Sequence, residues 1–385
     1  MGRSARTLSS DRSRSTARDR ALMRRALALA RHGWGQTAPN PMVGAVIVGD
    51  DAVVGEGFHA RFGEAHAEAI ALAAAGPRAN GATVYVTLEP CTHHGKTPPC
   101  ADALIAANVA RVVIAAADPN PRAAGGAARL RASGIDVTMG VEADAARELD
   151  PAFFFAFSSA RPWITLKLAL SLDGALSDAT GASRWVTGRR ARAAAHGLRA
   201  GSDAVGVGIG TVLADDPMLT VRDAPAPRVS PRRVVFDRHA RTPLHAALVR
   251  SAREVPTIVI AETPDPAAAR LLEAAGVTVI RAPALGPGLE MLAQTGVRSL
   301  LIEGGARLAC TFWEQSLVDR LIIFQGPVVL GAGAHGAFAF VPPQAIGSAS
   351  RLPVRYRKAL GDDTMTVFAV HEVPALQTGS LHAND

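Results

Sequence analysis

Three cysteines in 385 residues are too few for a disulfide-stapled fold, and so low a count fits a reducing compartment. Aromatic residues make up only 5% of the chain and are rarely interleaved with basic ones, which argues against a surface on which nucleic-acid bases stack. No apolar run approaches the roughly 18 residues of a membrane-spanning helix, and the first thirty residues lack the apolar centre of a secretory signal. A soluble, cytoplasmic protein with neither a membrane nor a nucleic-acid partner is expected. The net charge of +7 is local: residues 1–25 hold eight arginines against Asp11 and Asp19, and the rest is close to neutral. Rich in serine and arginine, with no apolar period before Ala21, residues 1–20 read as a disordered basic extension. An organelle transit segment is the alternative for that stretch.

What the chain does contain is size and a split motif. At 385 residues with 48% hydrophobic content, it exceeds what one core usually supports, so two domains are expected. His66 with Glu68, then Pro90-Cys91, then Pro98-Pro99-Cys100, supply one imidazole and two thiols. Three such ligands suit a tetrahedral zinc and leave a fourth position for water, the open geometry of a catalytic site. Glu68 can reach a water there and carry protons to and from a substrate nitrogen.

Alone, His66 reads as an ordinary histidine and Cys91 or Cys100 as a small buried hydrophobe; together, in this order, they read as a metal site. A closed structural zinc, with His93 or His94 as fourth ligand, is the main competitor, and Glu68 counts against it.

The local pattern places these residues. Asp19 to His32 carries Leu22, Ala26, Leu29 and Ala30 at helical spacing. Val43–Val48 and Ala52–Phe58 flank Asp50-Asp51 as a hairpin. His66 and Glu68 begin an alanine-rich helix, Thr83–Leu88 is a strand leading to Cys91, and Cys100 opens another helix whose N-terminus favours thiolate. Strand 111–115, helix 123–132 and strand 135–139 continue a β/α alternation. Glu142–Ala156 reads as one helix ending in a packed aromatic cluster, and Arg161-Pro162 as a boundary.

Beyond it, strands at 163–171, 203–209, 233–236, 257–260, 277–280 and 299–302 alternate with helices, a pattern suited to nucleotide binding. No Gly-x-Gly-x-x-Gly fingerprint opens a first strand-helix unit. Instead Gly206, Gly208 and Gly210 lie in one turn, and Glu303-Gly304-Gly305 opens a helix. Either turn can bring backbone amides to a phosphate.

The His-x-Glu and Pro-Cys pattern is similar to that of the zinc-dependent nucleobase deaminases. Glu89–Cys100, with eight residues between the cysteines, resembles the deaminase half of the bifunctional riboflavin-biosynthesis deaminase/reductase family. Lys167–Gly174, Ser183–Thr187, Thr211–Arg222 and Glu303–Ala306 resemble its reductase half. The resemblance spans roughly residues 20 to 370. It implies a cytidine-deaminase-like three-layer α/β domain over 21–150, followed by a dihydrofolate-reductase-like α/β domain over 151–375, with a frayed tail after Val370. It implies zinc on His66, Cys91 and Cys100, with Glu68 catalytic. Asn40 contacts the substrate base by the same resemblance, with a turn amide as the competing reading. His93, His94 and Lys96 lie on the substrate loop, suited to a phosphate.

For the second domain, Ser183, Arg199, Leu219, Arg222 and Glu303 are implied to hold a pyrimidine ribosyl phosphate substrate. Ala169, Trp185, Thr211, Asp215 and the turn Gly305, Ala306, Arg307, Leu308, Ala309 and Cys310 are implied to hold NADPH. Ala169 stands where the family has glycine, and Cys310 by itself reads as a packing residue. The implied activity is zinc-dependent hydrolytic deamination of 2,5-diamino-6-(5-phosphoribosylamino)pyrimidin-4(3H)-one, then NADPH-dependent reduction of the ribosyl group to ribityl, by a homo-oligomer. A tRNA-base deaminase with an RNA-binding module, and a zinc-stabilised nucleotide-binding protein without turnover, are the competing readings.

Overall fold

The computed structural model describes residues 4–94 and 98–374, with side chains from residue 17 onward. The chain folds as two compact units. The first runs to Phe157 and includes Val373 and Pro374; the second is Ser158–Glu372.

The first unit comprises α1 (Ser4–Ala30), β1 (Gly44–Gly49), β2 (Ala52–Phe58), α2 (Ala67–Ala75), β3 (Thr83–Leu88), α3 (Cys100–Ala106), β4 (Arg111–Ala116), α4 (Gly126–Ala132), β5 (Asp136–Met139), α5 (Ala143–Leu149) and α6 (Pro151–Phe155). Among the described residues its sheet has the order β2-β1-β3-β4-β5. β1 is antiparallel to β2 and β3, whereas β3, β4 and β5 are parallel. The hairpin turn holds Asp50 and Asp51 at φ 49° and 63°, the left-handed pair that suits strand twist.

Alternation along the strands separates two faces. Ala45, Ile47, Val84, Val86, Val112 and Ile114 pack with Ala67, Ala71, Ala101, Leu104 and Leu130 from α2, α3 and α4. Tyr85 points to the opposite face, where its hydroxyl donates to Asp19 of α1 at 2.8 Å. Helices thus cover both faces, giving three layers.

Two expectations for this unit change. The extension expected over residues 1–20 is helical from Ser4 onward, with residues 1–3 outside the described residues, and Asp19 is 4% exposed and paired with Arg111 at 2.8 Å. The buried stripe of α1 is Met23, Ala26, Leu27 and Ala30, with Leu22 and Leu29 at its margins. The helix expected over 142–156 is two helices, because Pro151 follows Asp150 and the residue before proline disfavours helical backbone. Phe153 stacks edge-on with Phe154 and Phe157, and the first compact unit runs to Phe157.

The second unit comprises β6 (Trp163–Leu170), β7 (Ala175–Ser177), α7 (Arg189–Ala200), β8 (Ala204–Gly208), α8 (Ile209–Asp215), β9 (Arg232–Phe236), α9 (Ala247–Arg250), β10 (Thr257–Ala261), α10 (Pro266–Ala274), β11 (Thr278–Arg281), α11 (Leu285–Gln294), β12 (Ser299–Ile302), α12 (Ala306–Glu314), β13 (Arg320–Gln325), β14 (His335–Gly336), β15 (Val354–Leu360) and β16 (Asp363–Ala369). The described sheet order is β11-β10-β9-β8-β12-β6-β13-β16-β15, and β7 pairs with β14. Strands from β11 to β13 are parallel; β16 and β15 add an antiparallel edge.

The parallel strands β8, β9, β10 and β12 are buried on both faces, as helices on each side require. α11 and α12 contribute Leu289, Leu292 and Phe312 to one core, while α9 and α10 contribute Leu248 and Leu272 to the other. Of the tail expected after Val370, residues 371–374 are placed, with Glu372 paired to Arg355 and Val373 8% exposed; residues 375–385 lie outside the described residues.

Candidate active site

In the first unit, three chain ends converge. His66 is the residue before α2, Cys91 follows β3 by three positions, and Cys100 is the first residue of α3. Their ligand atoms lie within 4.8 Å of one another. His66 Nδ1 is 3.2 Å from Cys100 Sγ and 3.7 Å from Cys91 Sγ. The backbone N–H of Cys100 donates to Cys91 Sγ at 3.4 Å, the way a helix start supports a thiolate. Hydrogen bonding with Cys100 brings the Cys91 thiol down to about 4, and the same contact with burial pushes Cys100 up. Hydrogen bonding to Cys91 raises His66.

This donor set, two buried sulfurs and an imidazole around one point, fits zinc. His93 and His94 are exposed and stand outside the group, so no fourth protein ligand closes it among the described residues. Lys96 lies outside the described residues.

Glu68 is 4% exposed, and burial raises its carboxyl above the ordinary carboxylate value. It lies close enough to His66 and Cys91 to feel their charges, beside the cluster. A buried acid there can take up a proton and release it to a leaving amine.

Three supporting residues were not legible as such in the sequence. Glu89 accepts from the backbone N–H groups of Asp118, Gly125 and Ala127 at 3.2, 3.2 and 2.9 Å, tying the end of β3 to α4. Gly126 makes this approach possible: a Cβ there would stand 1.9 Å from Pro90 O. Asp118 is 8% exposed, and burial pushes its carboxyl up to about 7. His59, 2% exposed, packs edge-on against His66 with ring centroids 5.5 Å apart, and burial lowers its pKa. Asn40 Nδ2 lies 3.3 Å from His59 Nε2.

In the second unit, β8 and β12 are neighbours that end at Gly208 and Ile302, and α8 and α12 start immediately beyond. The carboxyl ends of parallel strands are where such sheets bind ligands. Gly305 caps α12, so the first-turn N–H groups of this helix face outward from its end. Ala309 and Cys310 are buried in the core, with the Cys310 thiol 3.6 Å from Ala337 O, so their side chains pack.

Arg199 from α7 donates to both Glu303 oxygens at 2.6 and 2.8 Å and to Thr220 O at 2.8 Å. Burial opposes ionisation of Glu303, but Arg199 and Lys167 outweigh it and hold its carboxyl below the ordinary range. Arg222 is exposed, and its backbone N–H donates to His196 Nδ1 at 3.1 Å. Burial and the two arginines lower His196.

Lys167 and His196 complete this charged cluster and were missed as site residues. Lys167 carried a signal: it shares one half-buried face of β6 with Thr165 and Ala169, where a lysine is out of place in a central strand. Burial lowers its ammonium, which lies 5.5 Å over the Phe324 ring.

Trp185 is 68% exposed, with Arg192 4.3 Å over its ring, and the neighbouring Arg184 reaches Asp215 at 3.5 Å. That links the Trp185 loop to the end of α8, which also carries Thr211. Ser183 is exposed in the same loop. Leu219, at φ 50°, turns its side chain into the core, leaving only its backbone for a ligand.

The RibD C-terminal domain family matches residues 162–363, and the cytidine and deoxycytidylate deaminase zinc-binding region matches residues 16–116. A riboflavin biosynthesis protein RibD from Aquifex aeolicus is 44% identical over 82% of this chain and 88% of its own length. The chain belongs to the RibD family. RibD from Escherichia coli is 40% identical over 90% of this chain and 97% of its own. The solved RibD of Acinetobacter baumannii, 38% identical, superposes with a TM-score of 0.80 over 92% of this chain and 99% of that one. The Thermotoga maritima diaminohydroxyphosphoribosylaminopyrimidine deaminase/5-amino-6-(5-phosphoribosylamino)uracil reductase, 31% identical over the same shares, gives 0.79. As a RibD-family enzyme, the chain joins a zinc-dependent deaminase domain to an NADPH-dependent reductase domain in riboflavin biosynthesis.

Proposed function

We propose that the first unit hydrolytically deaminates 2,5-diamino-6-(5-phosphoribosylamino)pyrimidin-4(3H)-one and that the second reduces the ribosyl group of the product to ribityl with NADPH. The carrying observation is the three-ligand cluster of His66, Cys91 and Cys100 with the buried Glu68 beside it. When bound, zinc supplies the Lewis acidity that makes water nucleophilic at neutral pH. Glu68 would take a proton from the attacking water and return one to the departing nitrogen, so that the bond from the ring carbon to its exocyclic amino nitrogen breaks, a C–O bond forms at that carbon and ammonia leaves. Its raised pKa suits both transfers.

In the second unit, NADPH supplies the hydride. Ala169, Trp185, Thr211, Asp215 and the backbone from Gly305 to Cys310 hold this cofactor in our reading. Ser183, Arg199, the backbone of Leu219, Arg222 and Glu303 hold the ribosyl phosphate. Arg222 meets the phosphate directly, while Arg199, already bidentate on Glu303, orients that carboxylate towards the sugar hydroxyls. We place the deaminase domain at residues 21–150 together with Asp19 and the Phe153 cluster, and the reductase beyond it. Three free cysteines favour the cytoplasm. The working form is a homo-oligomer, which sedimentation of the purified enzyme checks.

A paired assay tests the whole reading. Zinc-loaded enzyme given the diaminopyrimidinone ribosyl phosphate should release ammonia, and later addition of NADPH should cause one oxidation per ammonia. Ammonia without oxidation would remove the reductase assignment; no ammonia would remove the substrate.

A further inference from the structure

His59 sits directly after β2, its backbone N–H bonded to Val43 O at 2.9 Å and its ring almost wholly enclosed. Both ring nitrogens are engaged. Nδ1 lies 3.1 Å from the carbonyl oxygen of Ala65, which can only accept, so Nδ1 carries the ring proton. The Asn40 side-chain amide presents its Nδ2 to Nε2 at 3.3 Å, which makes Nε2 the acceptor of that contact. Only the NH2 end of that amide can donate. The other end, Oδ1, is thereby turned away from His59, and the flipped amide would set oxygen against a lone pair. The backbone of Asn40 is itself held, by a 2.9 Å bond to Thr37 O, which leaves the amide flip as the freedom His59 removes. The ring also packs on the ligand His66, so the oriented amide belongs to the metal cluster's surroundings.

We propose that His59 is a positioning residue that locks Asn40 so that its amide offers a hydrogen-bond acceptor to an N–H of the pyrimidine. This rests on the deaminase reading of the first unit. It adds a direction of recognition: the ring position facing Asn40 must be a donor, and a pyrimidine with a lone pair or a methyl group there is rejected.

Two measurements test it. In zinc-loaded full-length enzyme labelled with 15N-histidine, the His59 resonances should show Nδ1 protonated and Nε2 bare; a proton on Nε2 overturns the proposal whatever the substrate is. In ammonia-release assays, His59→Phe should raise KM for the diaminopyrimidinone by roughly 10- to 100-fold, the scale of one or two misplaced hydrogen bonds, with zinc content and kcat largely kept. His59→Gln, whose amide can donate to Ala65 and accept from Asn40, should recover most of the loss. In an Asn40→Ala background, His59→Phe should cost nothing further.

Wild-type kinetics in the Phe variant, no rescue by Gln, or additive effects with Asn40→Ala would each overturn the assignment. If the Phe variant does not hold zinc, His59→Met replaces it and is judged in the same way. Wild-type enzyme that releases no ammonia refutes the substrate reading, and the NMR result then decides His59 by itself.

Discussion

Glu68 and Glu303 are both acids in confined places, and their neighbours set them to opposite tasks. Burial outweighs the nearby His66 and raises Glu68, whereas Arg199 and Lys167 overcome burial at Glu303. Glu68→Gln should therefore keep zinc and lose ammonia release by roughly 10²- to 10⁴-fold, the usual worth of a general acid–base group. Metal analysis beside the ammonia assay separates this from a loss of metal. For Glu303 the folded carboxyl loses its proton more readily than the unfolded one, so the Arg199 pair stabilises fully above the ordinary value of 4.5 and progressively less as pH falls through the lowered folded value. Arg199→Gln should remove that acid-side slope and cost roughly 2 kcal/mol at neutral pH by leaving a poorly solvated carboxylate unpaired. Urea unfolding at a series of pH values reads both effects.

At the scale of elements, the metal cluster depends on two helix starts and one strand end being brought together. The hairpin β1–β2, the strand β3 and the alanine-rich α2 follow from turn chemistry and periodicity, and their bounds were legible to within a residue or two. Other elements were not. β13 and the β15–β16 hairpin were not read, although Gly361-Asp362, with the glycine at φ 77°, is a two-residue hairpin turn; what no turn encodes is their pairing, which is decided by the sheet edge that β6 leaves open. The approach of α4 to Pro90 was equally hidden, because a glycine in an alanine-rich run looks like composition rather than contact. Gly126→Ala should destabilise the first unit by about 1–3 kcal/mol, as overpacking against rigid backbone does, and weaken zinc retention by shifting Cys91. Thermal unfolding together with zinc competition by a chelator would reveal this.

For the whole molecule, two cores and two sheets carry two chemistries. Stripping zinc should abolish ammonia release while NADPH oxidation continues when the deaminated product is supplied, since the candidate metal group among the described residues, His66, Cys91 and Cys100, lies in the first unit. Loss of both activities on chelation would mean that the second unit depends on the first for its fold. Much of the +7 charge lies on α1, where Arg18 and Arg25 pair with Asp51 and Glu56 and so brace the hairpin.

The metal ligands, the acid beside them, the two-domain order and the α/β class were determined by the sequence itself, because ligand chemistry restricts residue types and hydrophobic period restricts secondary structure. Tertiary structure alone decided the partners. Asp19 looked like part of a basic tail until Arg111 and Tyr85 met it, and nothing local told that Arg199 would pair with both oxygens of Glu303. His59, an unremarked residue after a strand, became the group that orients Asn40. Such contacts join positions tens to a hundred residues apart, and no local pattern encodes which distant group a buried polar side chain will find.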